Sequence, residues 1–194
     1  TQAPGDAMIL VNRYGRRCVN EKIQYNERTQ SHFDWDAVTG TYPNLVQMMV
    51  FDDGCRERHG SGGGALPKPG VSAPYLLSGR TLEELTVAIE ARLAELTSHI
   101  GNFHLDAGFS ANLRASLVRF NQFAETGKDL DFHRGEAPIE FGFDGGRHPQ
   151  NDKPNQMMYP ISLTGPFYAV LIGGGALDTK GGPKTNTDAQ VVDH

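Results

Sequence analysis

Two stretches of helical periodicity, joined across a glycine, constrain the fold of this 194-residue chain more than any other feature. Leu82, Leu85, Ile89, Leu93 and Leu96 recur at intervals of three and four. They share one stripe of an α-helix, and that stripe must be buried against another element. Thr81 stands at the N-cap position, and Glu84 three residues on completes a capping box. A second helix is expected to start near Ser110 as N-cap and to bury Leu113, Leu117, Phe120 and Ala124. Gly127 then occupies the position after the helix, where a left-handed residue stops it. A connection through Gly101 makes the pair a helical hairpin.

The remaining apolar residues fall into runs of strand length. Met8-Ile9-Leu10-Val11 is one, Gln47-Met48-Met49-Val50-Phe51 a second, and Phe167-Tyr168-Ala169-Val170-Leu171-Ile172 a third, buried one. Arg13-Tyr14-Gly15-Arg16 reads as a hairpin turn with Arg17-Cys18-Val19-Asn20 as its return strand. Asp52-Asp53-Gly54 reads as a turn closing the second run, and Val191-Val192 as the start of another strand. With 23 glycines and 11 prolines, loops take a large share, notably residues 60–79 and about 128–160. The expected fold class is α+β, a small mostly antiparallel sheet with a helical hairpin.

Several chemistries are disfavoured. A net charge of -5 does not suit nucleic acid, which needs a basic patch. No apolar run approaches the roughly 18 residues of a membrane helix, and residues 1–6 lack the basic and apolar regions of a signal peptide. Cys18 and Cys55 form no metal or disulfide pattern and read as reduced, structural thiols of a cytoplasmic protein. The seven histidines are dispersed, so no metal ligand set converges. Gly60-Ser61-Gly62-Gly63-Gly64-Ala65 spells G-x-G-x-x-A, but that fingerprint works between a strand and a helix. Here charged residues precede it and Pro67 and Pro69 follow, which would break a helix.

Four separated segments carry a family resemblance. They are Gly15-Arg16-Arg17-Cys18-Val19-Asn20-Glu21, with Cys18 where the family has Phe; Val50-Phe51-Asp52 with Arg58 beyond; and Phe120-Asn121 through Gly127-Lys128-Asp129-Leu130-Asp131-Phe132-His133-Arg134-Gly135. The last is Gly165-Pro166-Phe167-Tyr168-Ala169 with Leu177-Asp178-Thr179-Lys180-Gly181-Gly182. In this order they resemble the succinate dehydrogenase/fumarate reductase flavoprotein superfamily, of the FAD-binding type, and within it the 3-ketosteroid dehydrogenase-like branch.

The resemblance implies FAD as cofactor and an oxidoreductase moving hydride between an apolar ketone or enone, steroid-like, and the flavin. It implies a cap or substrate domain over residues 1–160 and a partial return into the FAD-binding domain over 161–194. The dinucleotide-binding segment would be a missing N-terminal part of the same polypeptide. By itself the chain would then retain no FAD and show no activity. Tyr25 falls where the fumarate reductase branch has a proton-donating arginine, and Asp178 where that branch has a carboxylate-binding histidine. Both changes disfavour a dicarboxylate, which wants cationic donors, although a reductase of small unsaturated acids is the rival reading. The resemblance makes Tyr25 catalytic, places Thr179, Lys180, Gly181 and Gly182 at the flavin, and gives Arg17, Asn20, Glu21 and Tyr168 to the substrate. For Arg17, Asn20 and Glu21 the residues themselves leave open a second role, a buried polar cluster bracing the hairpin.

Overall fold

The computed structural model describes residues 3–62, 64–144, 148–176 and 181–192. Strands β1 (Met8–Val11), β2 (Val46–Asp52), β3 (Leu77–Gly79) and β4 (Phe167–Gly173) form one antiparallel sheet in the order β1-β2-β4-β3. The last strand in sequence therefore lies inside the sheet. β4 pairs with β2 along seven residues, from Val46↔Gly173 to Asp52↔Phe167, while β1 covers the other side of β2 from Met8↔Phe51 to Val11↔Met48. Every residue of β1 and β2 is buried, as expected of strands covered on both faces. Residues on either side of position 160 thus share a single sheet.

Helices α1 (Tyr25–Gln30), α2 (Asp53–His59), α3 (Leu82–Glu95), α4 (Thr97–Ile100), α5 (Phe109–Thr126) and α6 (Pro138–Asp144) surround it, with a 3-10 turn over Ser31–Phe33. In α3 the Thr81 hydroxyl accepts from the Glu84 N–H at 3.1 Å. The Glu84 carboxylate returns to the Arg80 N–H at 2.8 Å, one residue earlier than a capping box requires. Leu82, Leu85, Ile89 and Leu93 are buried, and α3 packs on α5 through its own buried stripe of Phe109, Leu113, Leu117, Phe120, Phe123 and Ala124. Gly127 adopts φ +77° and donates its N–H to the Phe123 carbonyl at 2.8 Å, ending α5 as its position demanded.

The structure corrects five local expectations. Residues 17–20 do not form a return strand; a single bridge, Val11↔Arg17, is made before the chain turns inward. The turn itself is real, and Gly15 at φ +74° is required there because an added Cβ would collide with the Phe109 carbonyl oxygen. Asp52 does not begin a turn but caps α2, accepting from the Cys55 N–H at 2.8 Å. Ser110 is not the N-cap of α5; the helix starts after Gly108, whose N–H is held by Asp106, and Ser110 donates to Glu83 of α3 instead. Within the expected loop of 128–160, α6 forms, opened by Pro138 in the first-turn position that tolerates proline. Val191 makes one bridge, to Thr185, in place of a strand. The glycine run from 60 follows a helix and not a strand.

Cys55 is fully buried, and burial, then Asp6 and Asp52, push its thiol up to about 12. Burial also raises Cys18. Since the thiolate is the reactive form, neither cysteine of the folded chain should be alkylated by iodoacetamide at about pH 8, whereas both should react in urea. One equivalent of label on the native chain would contradict this.

Candidate active site

Beneath the Gly15 turn, four charged side chains meet almost without solvent. Arg17 donates through Nε and Nη2 to the two oxygens of Glu21 at 2.9 and 2.8 Å. Its Nη1 and Nη2 reach both oxygens of Asp129 at 3.1 and 2.9 Å. Arg134 donates to Glu21 at 3.2 Å and to the carbonyls of Met8 and Asp6 at 2.7 and 3.0 Å. Side-chain exposure is 4% for Arg17 and zero for Glu21, Asp129 and Arg134. Two cations therefore balance two anions, the condition under which buried charge is tolerated. Burial by itself would raise the Glu21 carboxyl, but Arg17 and Arg134 outweigh it and hold it below its ordinary range. Arg17 does the same for Asp129.

Asn20 joins the cluster, its amide donating to the Phe132 carbonyl at 3.2 Å and to Glu140 of α6 at 3.1 Å. Its oxygen accepts from the Lys22 N–H at 2.9 Å. Arg17 and Glu21 thus present no free side-chain surface to a ligand, and the partners of Asn20 shown here are all within the chain. Asp129 and Arg134 complete the cluster. Their signal lay in the D-x-D-F-x-R-G stretch, although nothing in the spacing joins them to Arg17.

The segment so fixed leads into α1, which Tyr25 opens. Tyr25 is half-buried, while Asn26, Glu27 and Gln30 are exposed. Arg28 turns inward and donates to the Glu21 carbonyl at 2.9 Å. The Thr29 hydroxyl donates to the Tyr25 carbonyl at 2.7 Å, so the backbone at Tyr25 is held independently of its ring.

Tyr168 lies at the start of β4, stacked on Phe51 with centroids 5.9 Å apart and covered by the Arg56 guanidinium at 4.3 Å. Arg56 is anchored by the Pro67 and Lys68 carbonyls at 3.0 and 2.8 Å and by Asp53 at 3.1 Å. Burial, followed by a hydrogen bond to Asp53, raises the Tyr168 phenol, which stays neutral. Gly173 at the other end of β4 is five residues on, about 17 Å at strand rise. There Gly174 approaches Phe33 and His32 of the 3-10 turn. The strand therefore separates Tyr168 from that turn.

Asp178, Thr179 and Lys180 lie outside the described residues. Gly181 and Gly182 have φ +105° and +132°, are exposed, and among the described residues none beyond their chain neighbours comes within 4 Å of a Cβ added to either. Left-handed backbone with an open face suits the close approach of a flat ring.

The model of a family described as the FAD binding domain matches residues 1–194. The chain belongs to that family. It is 34% identical over 192 residues to 4-oxocyclohexanecarboxylate 2-dehydrogenase of Sinomonas cyclohexanicum, covering 99% of this chain and 29% of the relative. It is 31% identical over 193 residues to 3-oxosteroid 1-dehydrogenase of Mycobacterium tuberculosis H37Rv, covering 98% and 31%. The chain thus spans about three tenths of the length of these curated relatives. Among solved structures it shares the fold of 3-ketosteroid delta1-dehydrogenase from Sterolibacterium denitrificans in complex with 1,4-androstadiene-3,17-dione. That match has a TM-score of 0.71 at 24% identity, over 99% of this chain and 31% of the other. An open-conformation flavocytochrome c3 fumarate reductase is a more distant fold relative, with a TM-score of 0.53 at 19% identity, over 96% and 24%.

The superfamily and branch named from the four motifs are therefore those of its relatives, and the small antiparallel sheet with its α3–α5 pair is the α+β arrangement expected. FAD is the cofactor of the family. Among the described residues no helix is long and apolar enough to cross a membrane.

Proposed function

We propose that this chain forms the substrate-facing part of an FAD-dependent dehydrogenase or reductase whose substrate is an apolar cyclic ketone or enone. The observation that carries the reading is 34% and 31% identity, across nearly all of this chain, to two dehydrogenases whose names each specify an oxo group on a ring compound. When bound, the flavin would supply the redox chemistry, hydride transfer to or from carbon. Tyr25 handles the proton on the neighbouring carbon, accepting it as the substrate is oxidised and giving it back in the reverse direction. Gly181 and Gly182 would hold the flavin ring through their backbone, and Thr179 and Lys180 are given the same role by the family motif alone. Tyr168, held by Phe51 and Arg56 toward the other end of β4, is left to the sheet in this reading. Arg17, Asn20 and Glu21 brace the segment that presents Tyr25, a role their protein partners support better than direct substrate contact.

An arginine at position 25 would serve a dicarboxylate; a tyrosine brings no cation, which supports a cyclic ketone over a small unsaturated diacid. In the flavin-loaded protein, anaerobic addition of a 3-oxosteroid or a 4-oxocyclohexane carboxylate should bleach the flavin band near about 450 nm. Failure of both compounds to reduce the flavin, with fumarate reoxidising a pre-reduced sample, would replace this reading with the unsaturated-acid one.

A further inference from the structure

Gln47 is completely buried in a strand otherwise built from Val46, Met48, Met49, Val50, Phe51 and the capping Asp52. A buried amide is costly unless both of its halves are hydrogen-bonded. Only one half is: Nε2 donates to the Ser31 hydroxyl at 2.8 Å, and Oε1 meets no donor among the described residues. An apolar side chain of similar length would fill the place without that cost. What the amide adds is a link between the sheet and the end of α1.

The link continues toward Tyr25. The Ser31 hydroxyl donates to the Arg28 carbonyl at 2.6 Å, and Arg28 donates to the Glu21 carbonyl at 2.9 Å. Asn44 adds a bond to the Ser31 carbonyl at 3.0 Å. The His32 Nδ1 lies 3.1 Å from the carbonyls of both Asn44 and Leu45, so that nitrogen carries the proton. α1 has six residues and no side-chain cap, and a helix that short does not hold itself in water. Its outward face is solvent. These ties help to fix its place, and the Gln47 amide is one that is rooted in the central strand pair.

We propose that Gln47 is a positioning residue for Tyr25: by fastening the end of α1 to β2 it sets where the Tyr25 hydroxyl stands when a proton is transferred. This rests on the reading of Tyr25 as the proton-transfer group. A buried polar group kept at a stability cost is expected where position matters more than stability.

The test is Gln47→Met, with Ser31→Ala as a second cut of the same link that leaves the buried Gln47 amide unpaired and so lowers the melting temperature by itself. Hydrogen exchange on the 194-residue chain should show amides of residues 25–33 exchanging about tenfold faster or more, while those of α3 and α5 keep their protection and the melting temperature of Gln47→Met stays level or rises. In the flavin-loaded protein, kcat on a cyclic ketone should fall about tenfold or more with KM little changed, because a small misplacement of a reacting group is enough to cost that much. Unchanged exchange at 25–33 together with unchanged kcat would overturn the proposal. So would a general loss of protection with a lower melting temperature in Gln47→Met, which marks a structural residue. Tyr25→Phe run alongside separates the two failures. If it is slow while Gln47→Met and Ser31→Ala keep full kcat, the positioning role is wrong and the Tyr25 reading stands. If Tyr25→Phe keeps full turnover, the Tyr25 reading itself falls and takes this proposal with it.

Discussion

Changing Tyr25 to phenylalanine should lower kcat on a cyclic ketone by about 10²–10⁴-fold, the contribution of a positioned general acid or base. The substitution isolates one atom. The ring and its packing remain, and the Thr29 hydroxyl bonds the backbone of residue 25, which does not change. Arg28 still fastens α1 to the Glu21 carbonyl. The variant should therefore fold, melt close to the parent and bind flavin with the same absorbance. On the proposed reading hydride and proton leave neighbouring carbons, so losing the proton acceptor would stall the oxidation even where the flavin is in place. Single-turnover flavin reduction is the appropriate measurement, because it excludes product release. A rate within about threefold of the parent, below any general acid–base contribution, would take Tyr25 out of the mechanism.

The second large effect is on stability. Replacing Glu21 with alanine should destabilise the fold by about 3–5 kcal/mol, the usual result of removing one member of a buried ion network. Glu21 accepts from Arg17 twice, from Arg134 and from the Leu10 N–H. Without it two guanidinium groups face each other with Asp129 as the remaining buried carboxylate beside them. Urea unfolding monitored by circular dichroism would give the difference; a loss under about 1 kcal/mol, the range of exposed pairs, would mean that water enters the cluster.

The same network fixes an acid limb. Glu21 and Asp129 are held below their ordinary ranges in the folded chain. A depressed carboxyl contributes stability that is fully present above its unfolded value, about 4 for these groups, and is lost as pH falls through the folded value. Unfolding free energy of the parent should therefore hold from neutral pH to about 5 and decline below about 4. In Glu21→Gln the decline should be shallower, since one of the two linked protons is gone.

Much of this was legible before any coordinates. The α3 and α5 stripes, the Thr81 cap, the Gly127 stop and three of the four strands follow from residues within about four positions of one another, which is the range over which helix and strand periodicity acts. α2 escaped because Asp53 to His59 is charged and carries no apolar period, so its only mark was Asp52 as a cap. α6 escaped because Ile139, Phe141 and Phe143 recur at every second position, which is not a helical period, so its only mark was Pro138. The family was legible because its motifs are local strings; Tyr25 stands four residues after the first of them, and its role remains a proposal.

What the chain could not show on its face is who meets whom. Arg17 and Asp129 are 112 positions apart, and their bidentate pairing exists only because the Gly15 turn lies against α5 while the loop after Gly127 doubles back beneath it. The sequence determined that Arg17, Glu21, Asp129 and Arg134 would need partners, since charge cannot be buried alone; the tertiary structure decided that they satisfy one another and leave little for a substrate. In the same way an isolated glutamine in an apolar strand was visible, but only the folded chain places Ser31 at its amide and so ties the central strand to the helix of Tyr25. Local pattern acts through neighbouring residues, whereas a hydrogen bond between distant ones exists only once the path of the backbone has been set.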